Sequence, residues 1–121
     1  MANSFVHCEL STNDVAKAKG FYGKLFDWKF DDMPMEGGTY SLIGVGEGTG
    51  GGLMKNPMPG NGSQWMPYVL VSDIKAATAK ARSLGANVCK DVTEVKGMGW
   101  LSIFTDPTGA MLGLWQPMNR A

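Results

Sequence analysis

The sequence predicts an α+β fold in which two βαβββ units form a cupped mixed sheet with helices on its outer face. The first observation is an internal repeat, because residues 7–25 and 66–84 each read as a strand, a turn and a helix. The second is that both halves end in one pattern, Gly-Leu-apolar-polar, at residues 52–55 and 113–116. Two such units build two half-cups of sheet, and paired half-cups enclose one concave site.

The first unit is predicted to span residues 4–57. Its opening strand alternates in character: the apolar face carries Val6, Cys8 and Leu10, and the polar face carries His7, Glu9 and Ser11. A capping sequence, Ser-Thr-Asn-Asp at 11–14, then starts a helix that runs to about residue 26. Three strands are expected around 28–32, 40–45 and 51–55. The helix is expected to bury the apolar residues at helical spacing, Val15, Ala18, Tyr22 and Leu25.

The second unit is predicted to span residues 64–118, after a Pro- and Gly-rich linker at 56–63. A strand at 65–71 leads to a helix capped by Ser72 or Asp73, and Gly85 is placed to end that helix. Strands are expected at 88–92, 100–105 and 110–116. The sequence Asp-Pro-Thr-Gly at 106–109 predicts a tight turn between the last two.

Composition narrows the class of protein. The 121 residues fit one domain, predicted to cover 1–121, and eleven basic and eleven acidic residues give no net charge and no basic cluster. We therefore expect no nucleic-acid partner, and with no long apolar stretch and no secretion signal we expect no membrane partner. Cys8 and Cys89 lack metal-site or redox spacing, so a cytoplasmic protein with two buried, reduced thiols is expected.

The chain resembles the vicinal oxygen chelate superfamily, which includes glyoxalase I, bleomycin-resistance proteins and extradiol dioxygenases. The resembling segments are VHCELSTNDVAKAKGFYGKLFDW at 6–28, VLVSDI at 69–74 and FTDPTGAMLGLWQP at 104–117. The resemblance implies paired βαβββ units around a cup. In metal-dependent members it implies one ligand from the first and one from the fourth strand of each unit.

Those four positions are His7, Gly52 (or Gly51 if the register differs by one residue), Met66 and Gly113 in this chain. Glycine and thioether do not replace the imidazole and carboxylate donors that a divalent ion needs. The metal site implied by the resemblance therefore looks dismantled, and no cofactor is expected. One alternative stays open, because His7 and Glu9 share a strand face and could hold a divalent metal weakly.

If the alternation holds, the cup is lined by an apolar, aromatic and sulfur-rich set with two polar groups at one end. Such a wall suits a small, partly aromatic ligand held by stacking and oriented by a few hydrogen bonds. Methionine and tryptophan on strands more often form an ordinary core, so that interpretation stays open. The predicted ligand-binding residues are His7, Glu9, Met54, Met66, Tyr68, Trp100, Met111 and Trp115.

Three functions are compatible with this pattern. The first, which we favour, is a metal-free protein that binds a small molecule. The second is a glyoxalase-like enzyme, either a lactoylglutathione lyase-type isomerase or a dioxygenase, with His7 and Glu9 as catalytic or metal-binding candidates. The third is an interaction or dimerisation module without a ligand. A homodimer is expected from the resemblance, and the sequence leaves open whether the units pair within one chain or between two.

Overall fold

The computed structural model describes residues 3–35, 38–56, 60 and 62–118, and it confirms the predicted fold class. Most strands begin and end within two residues of the predicted bounds, while β2 and β6 each run three residues further. The elements are β1 (Phe5–Thr12), α1 (Val15–Leu25), β2 (Lys29–Met35), β3 (Gly38–Gly44), β4 (Gly51–Lys55), β5 (Gln64–Leu70), α2 (Ile74–Ser83), β6 (Asn87–Val95), β7 (Gly99–Thr105) and β8 (Met111–Pro117).

The strands form one curled sheet in the order β1-β4-β3-β2-β6-β7-β8-β5, which closes on itself. The two units meet where β1 pairs antiparallel with β5, so both half-cups come from one chain. At the opposite side the ring closes through a single residue pair, Met35 with Val95. β2 is thus almost an edge strand, which explains why it tolerates Pro34, a residue that cannot donate to a strand ladder.

The inner face of the sheet is packed with large side chains. Its buried residues are at most 4% exposed, so the predicted cup is filled over much of its depth by the protein itself. Partly buried neighbours, among them Leu42, Met111 and Trp115, complete this packing. The buried members are Tyr40, Met54, Met66, Tyr68, Val95, Leu101 and Ile103.

The outer face of the first unit is covered by α1. Val15, Ala18 and Tyr22 pack on a second small core of Leu10, Ile43 and Leu53, as their helical spacing predicts. The expectation that Leu25 is buried was wrong, because its side chain is 56% exposed. Leu25 lies in the last turn of α1, on the side where Phe21 is also exposed.

The outer face of the second unit is covered by α2, which Asp73 caps through a 3.1 Å bond from the Ala76 amide. Thr78, fully buried, contacts the Ser102 hydroxyl of β7 at 2.9 Å. Gly85 ends the helix with a φ of 103°, a conformation that side-chain-bearing residues rarely adopt. Polar contacts therefore help to hold α2 on the sheet, as the 2.7 Å ion pair of Lys19 with Asp32 of β2 does for α1.

Neither described helix is long and apolar enough to cross a membrane. Both cysteines lie in strands, as predicted, and both are free. The expectation of two buried thiols was wrong for Cys8, which is exposed on the outer face of β1. Cys89 is partly buried and packs against the inner core.

Candidate functional site

The inner face of the sheet brings together most of the residues that the sequence singles out. Trp100 is the exception, because it alternates with Leu101 and Ile103 of the inner core and shares its face with Ser102, which contacts α2. The predicted residues that lie on the inner face are His7, Glu9, Met54, Met66, Tyr68, Met111 and Trp115.

Two tyrosines connect the polar groups inside the barrel. The hydroxyl of Tyr40 lies 2.6 Å from Nε2 of His7, and the hydroxyl of Tyr68 donates a 2.7 Å hydrogen bond to Oε1 of Glu9. Sequence reasoning missed Tyr40. Tyr40 and Leu42 are two residues apart on the third strand and therefore share one face of it. That pattern was the signal that could have placed Tyr40 on the inner face.

Three aromatic rings surround His7. Tyr40 and Trp115 lie roughly parallel to the imidazole, at centroid distances of 6.0 and 6.5 Å, and Tyr68 presents its edge at 5.5 Å. Burial among these rings disfavours the charged imidazolium and lowers the pKa of His7 to about 4. His7 is therefore neutral at physiological pH, with one ring nitrogen able to accept a proton.

Glu9 is fully buried beneath His7. Burial raises its pKa to about 7, against the opposing hydrogen bonds from Tyr68 and Tyr40 and a weak attraction from Lys90. Its second oxygen, Oε2, and the hydroxyl of Ser11 on the same strand face have no hydrogen-bond partner among the described residues. A buried carboxylate with one unpartnered oxygen is costly, so burial favours the protonated form of Glu9 until the pH approaches 7.

The residues at the four family metal positions do not fit a metal ion. A methyl group at Gly52 would overlap the Tyr40 hydroxyl, and one at Gly113 would overlap the Tyr68 ring. The space that ligand side chains would need is thus taken by tyrosines, and the fourth position is the thioether of Met66. Among the described residues there is no group of three or more His, Cys, Asp and Glu side chains able to hold a metal.

The interior opens to a pocket of about 370 Å³ at the end of the barrel where His7 lies. His7 and Leu42 form its inner wall, while Lys29 and Asp31 of β2 supply one charge of each sign. Sequence reasoning missed the two charged residues, because it did not fix which face of β2 turns inward. Gly44, Gly50 and Gly51 complete much of the lining.

A ring of paired βαβββ units around a central cup defines the vicinal oxygen chelate class of folds. The model of the Glyoxalase/Bleomycin resistance protein/Dioxygenase superfamily matches residues 4–114. The chain belongs to this superfamily.

Among curated proteins the chain is similar to "Putative glyoxylase CFP32" of Mycobacterium bovis, with 36% identity over 115 residues. It is also similar to the anthracycline biosynthesis protein DauV of a Streptomyces species, with 26% identity over 123 residues. Both matches cover 89% of this chain but only 43% and 45% of the relatives. The chain therefore spans less than half the length of these relatives.

Among solved structures the chain is similar to a variant of methylmalonyl-CoA epimerase from Streptomyces coelicolor, in complex with 2-nitronate-propionyl-CoA. The TM-score is 0.72 at 14% identity, covering 98% of this chain and all of that one. A hypothetical protein from Bacillus halodurans gives a TM-score of 0.68, also at 14% identity, covering all of this chain and 99% of that one. At such identities the likeness establishes the fold alone.

The packing of Tyr68 over Gly113 leads to a prediction about the stability of the protein. We expect Gly113→Ala to lower the free energy of unfolding by about 2 kcal/mol, because the methyl group must displace the Tyr68 ring in a packed interior. Gly20→Ala, in α1, is the control: it meets no atom within 4 Å and should gain up to about 1 kcal/mol from helix propensity. Urea unfolding measures both, and an unchanged Gly113→Ala would contradict the described position of Tyr68.

A second prediction concerns how stability depends on pH, because the pKa of Glu9 is raised and that of His7 is lowered. Between about pH 4 and 6.5 the unfolded chain protonates His7 while the folded chain does not, so this residue makes stability fall as pH falls. Between about pH 4.5 and 7 the folded chain keeps a proton on Glu9 that the unfolded chain releases, so this residue makes stability fall as pH rises. In the wild-type protein the two effects oppose each other.

We therefore expect a nearly flat wild-type stability profile between about pH 4.5 and 6.5. Glu9→Gln should become more stable as pH rises through this window, and His7→Gln less stable, each by up to about 1.4 kcal/mol per pH unit. Urea unfolding at several pH values measures the three profiles. Parallel profiles for the two variants would show that the shifts do not arise in this pair.

Proposed function

We propose that this protein binds a small, partly aromatic molecule without a metal ion, in the pocket that opens beside His7. The observation that carries the proposal is a neutral imidazole, held between aromatic rings, on the wall of a pocket of about 370 Å³. A pocket of this volume suits a ligand of one or two fused rings. The ligand would lie at the mouth of the cup, because the deeper positions Met54, Met66 and Tyr68 pack against each other.

The proposed recognition combines polar contacts from His7 and the rim with apolar surface on the inner wall. Nε2 of His7 is engaged by the Tyr40 hydroxyl, so Nδ1 is the ring nitrogen left to meet a ligand. Lys29 and Asp31 would contact polar substituents at the rim, while Leu42 supplies apolar surface. Glu9 acts through the tyrosines, by holding the interior in one hydrogen-bonded arrangement.

Ligand binding is tested with 2-naphthol and, as a matched compound without the hydroxyl, 2-methylnaphthalene. We expect the wild-type protein to bind 2-naphthol more tightly, with NMR shift changes at the amides of His7, Leu42 and Gly44, which line this pocket but not a separate hollow on the outer side of the sheet. Gly85 and Gly109, in turns elsewhere, should not move. His7→Phe keeps the apolar wall and should remove the preference for the hydroxyl. Changes spread over the surface, or an unaltered preference, would contradict the assignment of His7.

The metal-free part of the proposal has its own test. We expect elemental analysis of purified, untagged protein to find no stoichiometric metal, before and after incubation with Ni²⁺, Zn²⁺, Mn²⁺ or Fe²⁺. The reason is that only His7 remains of the four family ligands, with tyrosines over two of the others. A stoichiometric metal that is lost in His7→Ala would overturn the proposal and favour the glyoxalase-like or dioxygenase alternative.

A proton-transfer enzyme is the second candidate, and one observation favours it. Glu9, with a pKa of about 7, neighbours His7 through Tyr40 and Tyr68, so a proton could pass between the buried carboxyl and the pocket. A substrate with an acidic C–H next to a carbonyl would then exchange that hydrogen with solvent deuterium. Exchange in the wild-type protein that is lost in both Glu9→Gln and His7→Gln would support this candidate. No exchange in the wild-type protein would leave ligand binding as the proposed function.

We also propose a homodimer in a reducing, cytoplasmic setting, which the two free thiols support. The third candidate, a dimerisation module without a ligand, predicts that none of the pocket amides respond to any compound while the dimer persists. The ligand and dimer measurements therefore separate the candidates.

A further inference from the structure

The hydroxyl of Tyr40 has two hydrogen-bonding neighbours inside the barrel but only one proton. It lies 2.6 Å from Nε2 of His7, and it is also hydrogen-bonded to the carboxyl of Glu9. The sheet register places it there, because Glu9 pairs with Gly52 of β4 and the Tyr40 hydroxyl occupies the space that a side chain on Gly52 would need. Tyr40 therefore donates to one neighbour and accepts from the other.

Tyr68 does not share this freedom. Its buried hydroxyl donates a 2.7 Å hydrogen bond to Oε1 of Glu9, and among the described residues it has no other partner. If it accepted from Glu9 instead, its own proton would be left without an acceptor in the interior, which is costly. The proton of Tyr68 is therefore committed to Glu9.

Glu9 is a buried carboxylic acid whose own proton needs an acceptor. Burial raises its pKa to about 7, against weaker opposing effects of the two tyrosine hydroxyls and of Lys90 on β6, so Glu9 carries a proton in mildly acidic solution. The hydroxyl of Ser11 does not serve, since it has no hydrogen-bond partner among the described residues. The oxygen of Tyr40 is the acceptor that remains.

These constraints fix the direction of each hydrogen bond in this group. Glu9 donates to the oxygen of Tyr40, and Tyr40 in turn donates to Nε2 of His7. Because burial lowers the pKa of His7 to about 4, the imidazole is neutral and carries one proton. With Nε2 accepting, that proton is on Nδ1.

The reverse arrangement leaves a buried donor without a partner. In it Nε2 of His7 donates to Tyr40 and Tyr40 donates to Glu9, so the carboxyl receives hydrogen bonds from both tyrosines and its own O–H has no acceptor. A buried donor without an acceptor loses its hydration and gains nothing in return. The arrangement with the proton on Nδ1 is therefore the more stable one while Glu9 is protonated.

Nδ1 of His7 is open to the pocket. It has no hydrogen-bond partner among the described residues, and it is not one of their fully enclosed polar atoms, so it has access to the space that His7 lines. An N–H group at this position favours a ligand atom that accepts a hydrogen bond, and it disfavours a second donor.

We infer that Tyr40 holds His7 in the tautomer with its proton on Nδ1, so that the pocket takes an aromatic molecule whose accepting oxygen, such as a carbonyl, faces His7. Tyr40 is a positioning residue, because it acts on the ligand only through His7. The part that concerns the ligand rests on the proposed binding function and narrows it to molecules with an acceptor at this point. The part that concerns the tautomer holds for the free protein.

The tautomer is measured without ligand by ¹⁵N NMR of the imidazole at about pH 6, where His7 is neutral and Glu9 protonated. We expect the proton on Nδ1 in the wild-type protein and in Glu9→Gln, whose amide N–H donates to Tyr40 as the acid does. Tyr40→Phe, which removes only the hydroxyl, should move part or all of the population to the Nε2–H form. Tyr68→Phe is the matched control, and it should keep the wild-type tautomer.

A wild-type ring with its proton on Nε2 would overturn the inference. So would a Tyr40→Phe protein, folded by circular dichroism, that keeps the wild-type tautomer, since Tyr40 would then not position the ring. The spectra of the wild-type protein and Glu9→Gln decide the direction of the hydrogen bonds even if Tyr40→Phe does not fold.

The ligand class is tested with 2-acetylnaphthalene, which carries an accepting carbonyl, and 2-isopropenylnaphthalene, which has the same shape and no acceptor. We expect tryptophan fluorescence titrations of the wild-type protein to give about five-fold tighter binding of the ketone, the effect of one hydrogen bond. The preference should shrink in Tyr40→Phe.

Equal affinities for the two compounds would overturn the ligand class while leaving the pocket as a binding site. Binding of neither compound would overturn the proposed function together with the ligand class. In that case the NMR spectra of the free protein still support or overturn the role of Tyr40, so the two failures are distinguishable.

Discussion

The packing of two tyrosines over two glycines is the constraint on which the interior depends. Tyr40 of β3 covers Gly52 and Tyr68 of β5 covers Gly113, so equivalent glycines of the two units are covered by tyrosines from non-equivalent strands. Each ring fits only because the glycine opposite has no side chain. The hydroxyls then reach His7 and Glu9, so one packing arrangement fixes the shape of the barrel, the burial of Glu9 and the neutrality of His7. A side chain at either glycine would disturb all three.

Tyrosines cover two of the four positions at which metal-dependent members of the superfamily place metal ligands. The metal-dependent pattern needs donors on the first and fourth strands of each unit, and this chain has one imidazole in those four positions. The apolar, tyrosine-filled interior disfavours charge, so burial raises the pKa of the Glu9 carboxyl even though it accepts a hydrogen bond from Tyr68. The polar chemistry that remains accessible lies at the mouth of the barrel, beside His7, Lys29 and Asp31.

The sequence was sufficient for the fold because the repeat and the capping and turn residues are local signals. Asp14, Asp73, Gly85 and the turn at 106–109 act within a few residues, and each element forms where they predict it. The inner-face residues of β1, β5 and β8 followed from strand alternation. Trp100 did not, because a one-residue difference in register moves a side chain to the opposite face.

The rest of the site depends on contacts between elements that are distant in the chain. The approach of Tyr40 to His7, 33 residues apart, needs the register of β3 against β4 and β1, which no local pattern encodes. The exposure of Leu25 and Cys8 depends on how far α1 extends over the sheet. An amphipathic pattern predicts which side of a helix is apolar, but it does not predict how much of that side the sheet covers.

The measurement that tests the account most directly is ¹⁵N NMR of the imidazole, because His7 is the only histidine in the chain. The account predicts a neutral ring with a single tautomer, one that stays neutral down to about pH 4–5 and does not change when Zn²⁺ is added. An imidazole that titrates near its ordinary value of 6.5, or that shifts on addition of Zn²⁺, would contradict the tyrosine-enclosed, metal-free interior.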